Sequence, residues 1–139
     1  MQKIVVDTNV LVSALIQKSY PYFIINEIFI EKKVEFCVSN KLFEEYYEVL
    51  NRKKFTNYHH FIAKAETLLA DIKAQAKMFD PKTKIKIIRD LDDNKLLELA
   101  AACKADFLIT GNTNDFTMTK YRRTRIVTPM EYWENYRPY

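Results

Sequence analysis

Carboxylates supply most of the side-chain chemistry that this sequence offers. The 139 residues include 18 Asp and Glu, two Cys, two His and a single Gly. With Gly111 as the one glycine, the chain lacks the glycine-rich dinucleotide loop, the P-loop and the nucleophile elbow of hydrolases. Cys37 and Cys103 are too far apart in sequence for a CxxC zinc site, and the adjacent His59 and His60 exclude an HExxH motif. Any catalysis is therefore expected to use carboxylates or a carboxylate-bound metal.

Three of these carboxylates are predicted to face inward. Asp7 directly follows an apolar, strand-like segment. Asp93 precedes Leu97 and Ala100 by four and seven residues, which aligns it with the buried face of a helix. Glu45 lies at the flank of the apolar face of an earlier helix, by a count of about 100° per residue. Two simpler roles stay open, with Asp93 as the N-cap of its helix and Asp7 as a turn residue.

Three inward carboxylates in one place need a counter-charge. Two carboxylates about 5 Å apart repel by about 3 kcal/mol at an effective dielectric constant of about 20. Mg²⁺ and Mn²⁺ are the ions that few carboxylates and phosphate oxygens bind together. Such an ion neutralises a phosphate and lowers the pKa of an attacking water. A metal held by Asp7, Glu45 and Asp93 is therefore typical of a nuclease, and a net charge of +4 with a pI near 9.0 suits a polyanionic substrate.

Short apolar strands alternate with amphipathic helices along the chain. The predicted strands are Lys3–Val6, Val34–Val38, Ile85–Ile88, Asp106–Thr110 and Arg125–Thr128. One predicted helix follows Asp7, and the others are Tyr20–Lys33, Asn40–Asn51, Phe55–Met78, Asn94–Cys103 and the start of a last helix at Pro129–Glu134. This alternation predicts one α/β domain over residues 1–139, with a mostly parallel sheet flanked by helices.

In a parallel sheet the ligand site lies beyond the carboxyl ends of the strands. The polar residues that follow predicted strands are Asp7, Asp90, Asp92, Asp93, Thr110, Asn112, Asn114 and Asp115. These side chains, distant in sequence, are expected to converge on one edge of the sheet.

Three segments resemble the PIN-domain family of ribonucleases. The opening IVVDTNVLVSAL resembles the family's first strand and its Asp–Thr–Asn, with Asp7 as a metal ligand. The segment SNKLFEEYYEVLNRKKF resembles the second motif with Glu45, and RDLDDNKLLELAAACKADFLITGN resembles the third and fourth motifs with Asp93 and the active-site hydroxyl of Thr110. The likeness is closest to the bacterial toxin branch. It implies a five-stranded parallel sheet between helices, RNA cleavage dependent on Mg²⁺ or Mn²⁺, and inhibition by an antitoxin from the same operon.

One position departs from the family pattern. Many PIN domains carry an aspartate two residues after the strand-end threonine, where this chain has Asn112. Asp115 is a candidate source of the missing charge, and Asn112 itself is a candidate neutral ligand, so one or two metal ions remain open. A catalytically weak or inactive PIN fold that binds RNA or an antitoxin also stays open. A receiver-type signalling domain and a haloacid-dehalogenase-like phosphatase fit less well, because Asp7 has no acidic neighbour before it and Asn9 stands where the phosphatase has its second aspartate.

A basic cluster follows the predicted metal loop. We expect this cluster to bind RNA phosphates, with Tyr121 stacking on a base. Its residues are Lys120, Tyr121, Arg122, Arg123 and Arg125.

No apolar run approaches the length of about 18 residues that a membrane span needs. The chain opens on a strand-like segment without a signal peptide, so a cytoplasmic protein without a membrane partner is expected. The expected partners are an RNA substrate and an antitoxin protein, with a homodimer left open.

Overall fold

The computed structural model of this chain describes residues 1–82, 84, 91–113, 116 and 118–138, and in the helix that begins at Leu91 it describes side chains from Asn94 onward. The predicted strand Ile85–Ile88 therefore lies outside the described residues, as do Asp90, Asn114, Asp115 and the side chains of Asp92 and Asp93.

In the described part of the chain, six strands form one mostly parallel sheet that helices flank. The strands are β1 (Lys3–Val6), β2 (Glu35–Ser39), β3 (Lys77–Phe79), β4 (Phe107–Ile109), β5 (Lys120–Tyr121) and β6 (Thr124–Val127). The helices are α1 (Thr8–Ile16), α2 (Tyr20–Phe23, continued by a π-helical Ile24–Phe29), α3 (Asn40–Leu50), α4 (Phe61–Gln75), α5 (Leu91–Cys103) and α6 (Pro129–Glu131, continued by a π-helical Tyr132–Tyr136). The predicted α/β class with a mostly parallel sheet is confirmed.

Among the residues that the structure describes, the sheet has six strands, whereas five were predicted for the chain. Two of the described strands were not predicted, β3 and β5, and β5 pairs antiparallel with β6 through Lys120–Arg125 and Tyr121–Thr124. A two-residue strand carries no periodicity of its own, so only its pairing partner reveals it. The prediction of mostly one long helix over Phe55–Met78 was also wrong at both ends. Helix α4 begins only at Phe61, after His60 in a left-handed conformation, and it stops at Gln75, after which Ala76 is extended and β3 pairs with β2.

The order of strands in the sheet is β3-β2-β1-β4-β6-β5. The chain moves from β1 to β2 on one side and reaches β4 on the other side of β1, so β1 and β4 flank the point where the winding direction reverses. Open α/β sheets bind their ligands outside the carboxyl ends of the strands at such a point. We call that side of the sheet the carboxyl edge and the opposite side the amino edge.

The core lies on both faces of β1, β2 and β4. Ile4, Val5 and Val6 are fully buried, as a central parallel strand with helices on both faces requires. Within the described part of the chain, no helix is long and apolar enough to cross a membrane.

Candidate active site

Asp7 and Thr110 meet at the carboxyl edge, directly after β1 and β4. The Asp7 N–H donates to the carbonyl oxygen of Ile109, 2.9 Å away, which continues the ladder between the two strands. Asp7 is only 7% exposed and Thr110 is fully buried. The Thr110 hydroxyl donates to Asp7 Oδ2 at 2.8 Å, and its oxygen accepts from the Asn112 N–H at 3.0 Å. The structure thus places the predicted active-site hydroxyl on the predicted carboxylate.

Burial raises the pKa of Asp7 above its ordinary value. The hydrogen bond from Thr110 opposes this rise, whereas the negative charge of Glu45 adds to it. A buried carboxylate that is crowded by a second one is a group whose ionised form is unstable without a cation.

Glu45 reaches the site from α3. The Thr8 hydroxyl donates to Glu45 Oε2, and Lys95 Nζ lies 2.6 Å from Glu45 Oε1. Both charged side chains of this pair are mostly shielded, with 19% of Lys95 and 22% of Glu45 exposed. Glu44 and Glu48 on the same helix are exposed, on the side away from its apolar face.

Tyr46 fixes the turn of α3 that presents Glu45. The Tyr46 ring is fully buried and its hydroxyl donates to the carbonyl oxygen of Val6, the residue before Asp7. Burial raises the pKa of this phenol well above its usual range, so the hydroxyl keeps its proton and remains a donor. Helix α3 starts where predicted, because the Ser39 hydroxyl caps it by accepting from the Leu42 N–H at 3.1 Å.

Asn9 links the first motif to the loop after β4. Its Oδ1 accepts from the Gly111 N–H at 3.2 Å, and its Nδ2 lies 3.5 Å from Asp7 Oδ2. A Cβ at Gly111 would lie 3.4 Å from Asn9 Oδ1, at ordinary van der Waals distance, so the two loops are close here without requiring a glycine.

Two of the six predicted catalytic residues lie outside the described side chains. Asp93 belongs to the first turn of α5, and Asp115 is not described. Asn112 is described and exposed. Among the side chains that the structure describes, no group of three or more His, Cys, Asp or Glu is arranged to hold a metal. Asp7 and Glu45 are the described members of the predicted triad, and their oxygens are the hard donors that Mg²⁺ and Mn²⁺ prefer.

Sequence reasoning missed three of the side chains that surround the carboxylates. Thr8 and Asn9 carried no predicted role at the site, although they follow Asp7 directly in the Asp–Thr–Asn motif. Nothing in the sequence indicated that Lys95 pairs with a site carboxylate, because a lysine in the first turns of a helix is usually solvated. Its role appears only when α5 is packed against α3.

The predicted RNA-binding residues lie away from Asp7. Arg125 is level with Phe107 in the sheet, whereas Thr110 and Thr128 stand at the carboxyl edge. At about 3.3 Å per residue, Arg125 is about 10 Å back along β6 from that edge. We call the segment Lys120–Arg125 the basic hairpin, and it belongs to the amino edge.

The side chains of the basic hairpin have local partners. Arg123 Nη2 lies 2.9 Å from Asp106 Oδ1. The Arg122 guanidinium lies 5.4 Å from the centre of the Tyr121 ring. The Arg125 guanidinium lies 5.2 Å from the centre of the Tyr136 ring. The structure does not bring these residues together with the carboxylates, so their contact with RNA stays a prediction.

Comparison with known proteins identifies the family. A family model described as the PIN domain matches residues 3–114. The chain belongs to the PIN domain family. The matched range contains Asp7, Glu45 and Thr110 and ends before the basic hairpin. Membership of the PIN domain family excludes the two alternative classes, the receiver-type signalling domain and the haloacid-dehalogenase-like phosphatase.

Two similar proteins extend this comparison over almost the whole chain. The chain is 31% identical over 145 residues to an uncharacterized protein of Methanocaldococcus jannaschii, a match that covers 96% of this chain and 91% of that protein. It also resembles a chain in the crystal structure of VapBC2 from Rickettsia felis bound to a DNA fragment from their promoter. The TM-score is 0.56 at 18% identity, and the match covers 91% of this chain and 98% of that one. The structural likeness shows a common fold.

Proposed function

We propose that this PIN domain is an endoribonuclease that depends on Mg²⁺ or Mn²⁺ and is the toxin of a toxin–antitoxin pair. The observation that carries the proposal is the buried Asp7 carboxylate, whose pKa is raised by burial and by Glu45 at the carboxyl edge of the two central strands. Perturbed carboxylates at the edge where α/β sheets bind ligands are typical of catalytic sites.

Each described residue has a distinct part in this proposal. Asp7 and Glu45, with Asp93, would hold the ion, which supplies a neutralising charge for the phosphodiester and a more acidic bound water. Thr110 orients Asp7 through its 2.8 Å hydrogen bond and favours the ionised carboxylate that a metal requires. Thr8 orients Glu45 in the same way. Lys95 balances the charge of Glu45.

The activity test uses two glutamates of one helix. The purified chain is expected to cleave RNA with Mn²⁺ or Mg²⁺ and to stop in EDTA. Glu45→Gln should lower the rate by at least about a hundredfold, the scale of lost transition-state stabilisation at a charged site. Glu44→Gln removes the same charge from an exposed position of α3 and should leave the rate unchanged.

A contaminating nuclease is excluded with Asp7→Asn prepared in the same way. Cleavage that persists in this variant, or that is as fast in EDTA, would refute the metal-dependent mechanism.

The alternative is a weak or inactive PIN fold that binds RNA or an antitoxin. Two observations favour it: Lys95 already neutralises Glu45, and an exposed Asn112 occupies the fourth acidic position of the family. In that case the parent and Asp7→Asn would both fail to cleave RNA while binding it with equal affinity.

The proposed antitoxin partner rests on family membership and on the fold shared with a chain of VapBC2. Co-purification with the product of a neighbouring small gene tests it. If the chain is a toxin, we expect its expression alone to arrest growth and Asp7→Asn to relieve the arrest.

A homodimer and a cytoplasmic location belong to the same proposal. Size-exclusion chromatography tests the homodimer, and cell fractionation tests the location.

A further inference from the structure

A cleft lies at the carboxyl edge beside the carboxylates of Asp7 and Glu45. Its lining includes Ser39 at the end of β2, Phe79 at the end of β3, Lys41 in the first turn of α3, and Lys95 of α5. The register of β1 and β2, carried forward from Ile4–Phe36, brings Ser39 level with Asp7 on the neighbouring strand. Since neighbouring strands lie about 4.8 Å apart, the cleft opens about 5–10 Å from Asp7 along the edge.

Two lysines face each other in this cleft. Lys41 and Lys84 both line it, and the nearby Lys84 ammonium lowers the pKa of Lys41. Both side chains are exposed, and two neighbouring ammonium groups repel less when an anion lies between them. The cleft has a volume of about 70 Å³.

Lys41 also occupies a position that disfavours a cation. The first turn of α3 contains no acidic residue, and a positive charge there opposes the helix dipole. A residue that breaks a local rule without a local benefit is expected at functional sites.

Among the described residues that line the cleft, positive charge exceeds negative charge. Asp80 and Glu98 line it together with Lys41, Lys84 and Lys95, and Lys95 is paired with Glu45 outside this set. Asp80 is already engaged by Lys82, whose Nζ lies 2.7 Å from Asp80 Oδ2.

The cleft is connected to the proposed catalytic carboxylates. Lys95 lines it and lies 2.6 Å from Glu45 Oε1. An RNA strand whose scissile phosphodiester lies at Asp7 and Glu45 would therefore place a neighbouring phosphate at the cleft.

We propose that Lys41 and Lys84 bind a backbone phosphate of the RNA next to the bond that is cleaved. This inference rests on the proposed function for its substrate, but the binding itself is measured without cleavage. It assigns the phosphate nearest the carboxylates to the cleft and leaves to the basic hairpin only a more distant part of the RNA.

The test is RNA binding in EDTA, with fluorescence anisotropy of a labelled single strand of about ten nucleotides. We expect Lys41→Ala/Lys84→Ala to raise Kd on the order of tenfold at about 50 mM salt and to reduce the slope of log K against log salt by about 0.7 for each phosphate that is no longer bound. Lys64→Ala/Lys73→Ala is the matched control, because it removes two exposed lysines from α4 and introduces a good helix former. The control should bind like the parent.

Folding is separated from binding by two further readouts. Lys41→Ala should melt no lower than the parent, because it removes a charge that opposes the helix dipole. Lys41→Arg/Lys84→Arg should retain most of the affinity, since arginine also binds phosphate.

An unchanged Kd and slope in Lys41→Ala/Lys84→Ala would overturn the inference, as would an equal weakening in the α4 control. A parent that binds no RNA in EDTA would overturn it as well. A parent that binds RNA through these lysines but does not cleave it with Mn²⁺ would retain the phosphate site and refute the proposed ribonuclease. The two failures are therefore distinguishable.

Discussion

Replacing Asp7 by Asn tests whether charge crowding governs the site. The carboxylate is 7% exposed, its pKa is raised by burial and by Glu45, and the rise is opposed by Thr110 and Lys95. For each unit by which the pKa of Asp7 is raised, the ionised carboxylate lowers the free energy of unfolding by about 1.4 kcal/mol. Asn keeps the shape and an oxygen for the Thr110 hydroxyl. Since Thr110 and Lys95 offset part of the cost, we expect the metal-free variant to gain on the order of 1 kcal/mol at neutral pH.

The same pKa shift predicts how stability depends on pH. A pKa that is higher in the folded chain than in the unfolded chain stabilises the fold while Asp7 is protonated. That contribution is complete below the ordinary value of 3.8 and is lost as the pH rises through the raised value. The advantage of Asp7→Asn over the parent should therefore grow from acid to neutral pH and then level off.

Thermal melts with and without Mn²⁺ measure both effects. In EDTA at neutral pH, a gain of about 1 kcal/mol corresponds to a rise of about 4 °C in Tm for a domain of this size. Added Mn²⁺ should raise the Tm of the parent more than that of Asp7→Asn, since an ion stabilises only the state that binds it. Glu44→Gln controls for the loss of one exposed negative charge. A variant that melts below the parent in EDTA would refute the crowding argument, and equal Mn²⁺ shifts would remove Asp7 from the metal ligands.

Two further substitutions test the elements that position the site and the RNA. Tyr46→Phe removes the buried hydroxyl that donates to the carbonyl oxygen of Val6, and we expect a loss of about 1–3 kcal/mol in chemical denaturation; a variant as stable as the parent would contradict a structural role for this bond. Arg122→Ala leaves the Arg123–Asp106 pair intact and removes an exposed charge from the basic hairpin. If this hairpin contacts RNA, the slope of log K against log salt should fall by about 0.7 for a long single strand. An unchanged slope would remove Arg122 from the RNA path.

The positions of Asp7 and Glu45 could be predicted from the sequence, whereas most of the side chains that contact them and shift the pKa of Asp7 could not. Asp7 was selected because it follows a buried strand, and Glu45 because it lies at the boundary of an apolar helix face; both conclusions need only local periodicity. The pairing of Lys95 with Glu45 depends on how α5 packs against α3, which no local pattern contains. The same holds for β5, a two-residue strand that exists through its pairing with β6. The end of α4 was misplaced because the residues after Gln75 continue a helical composition, whereas the edge of the sheet draws Lys77–Phe79 into pairing with β2.

The direction of the strands explains why the basic hairpin lies on the opposite side of the sheet from Asp7. Lys120–Arg125 follow the loop after β4 in sequence, and closeness in sequence suggested closeness to the metal. The chain, however, returns along β5 toward the amino edge before β6 runs back parallel to β4, so the turn at Arg122 and Arg123 lies far from Asp7. Lys41 is near the site for the opposite reason: β2 ends at the carboxyl edge and α3 begins there. In a parallel sheet, a residue one or two positions past a strand's end is close to the site whatever its distance in sequence from the catalytic motif. That rule selects lysines as well as carboxylates, and here it selects Lys41.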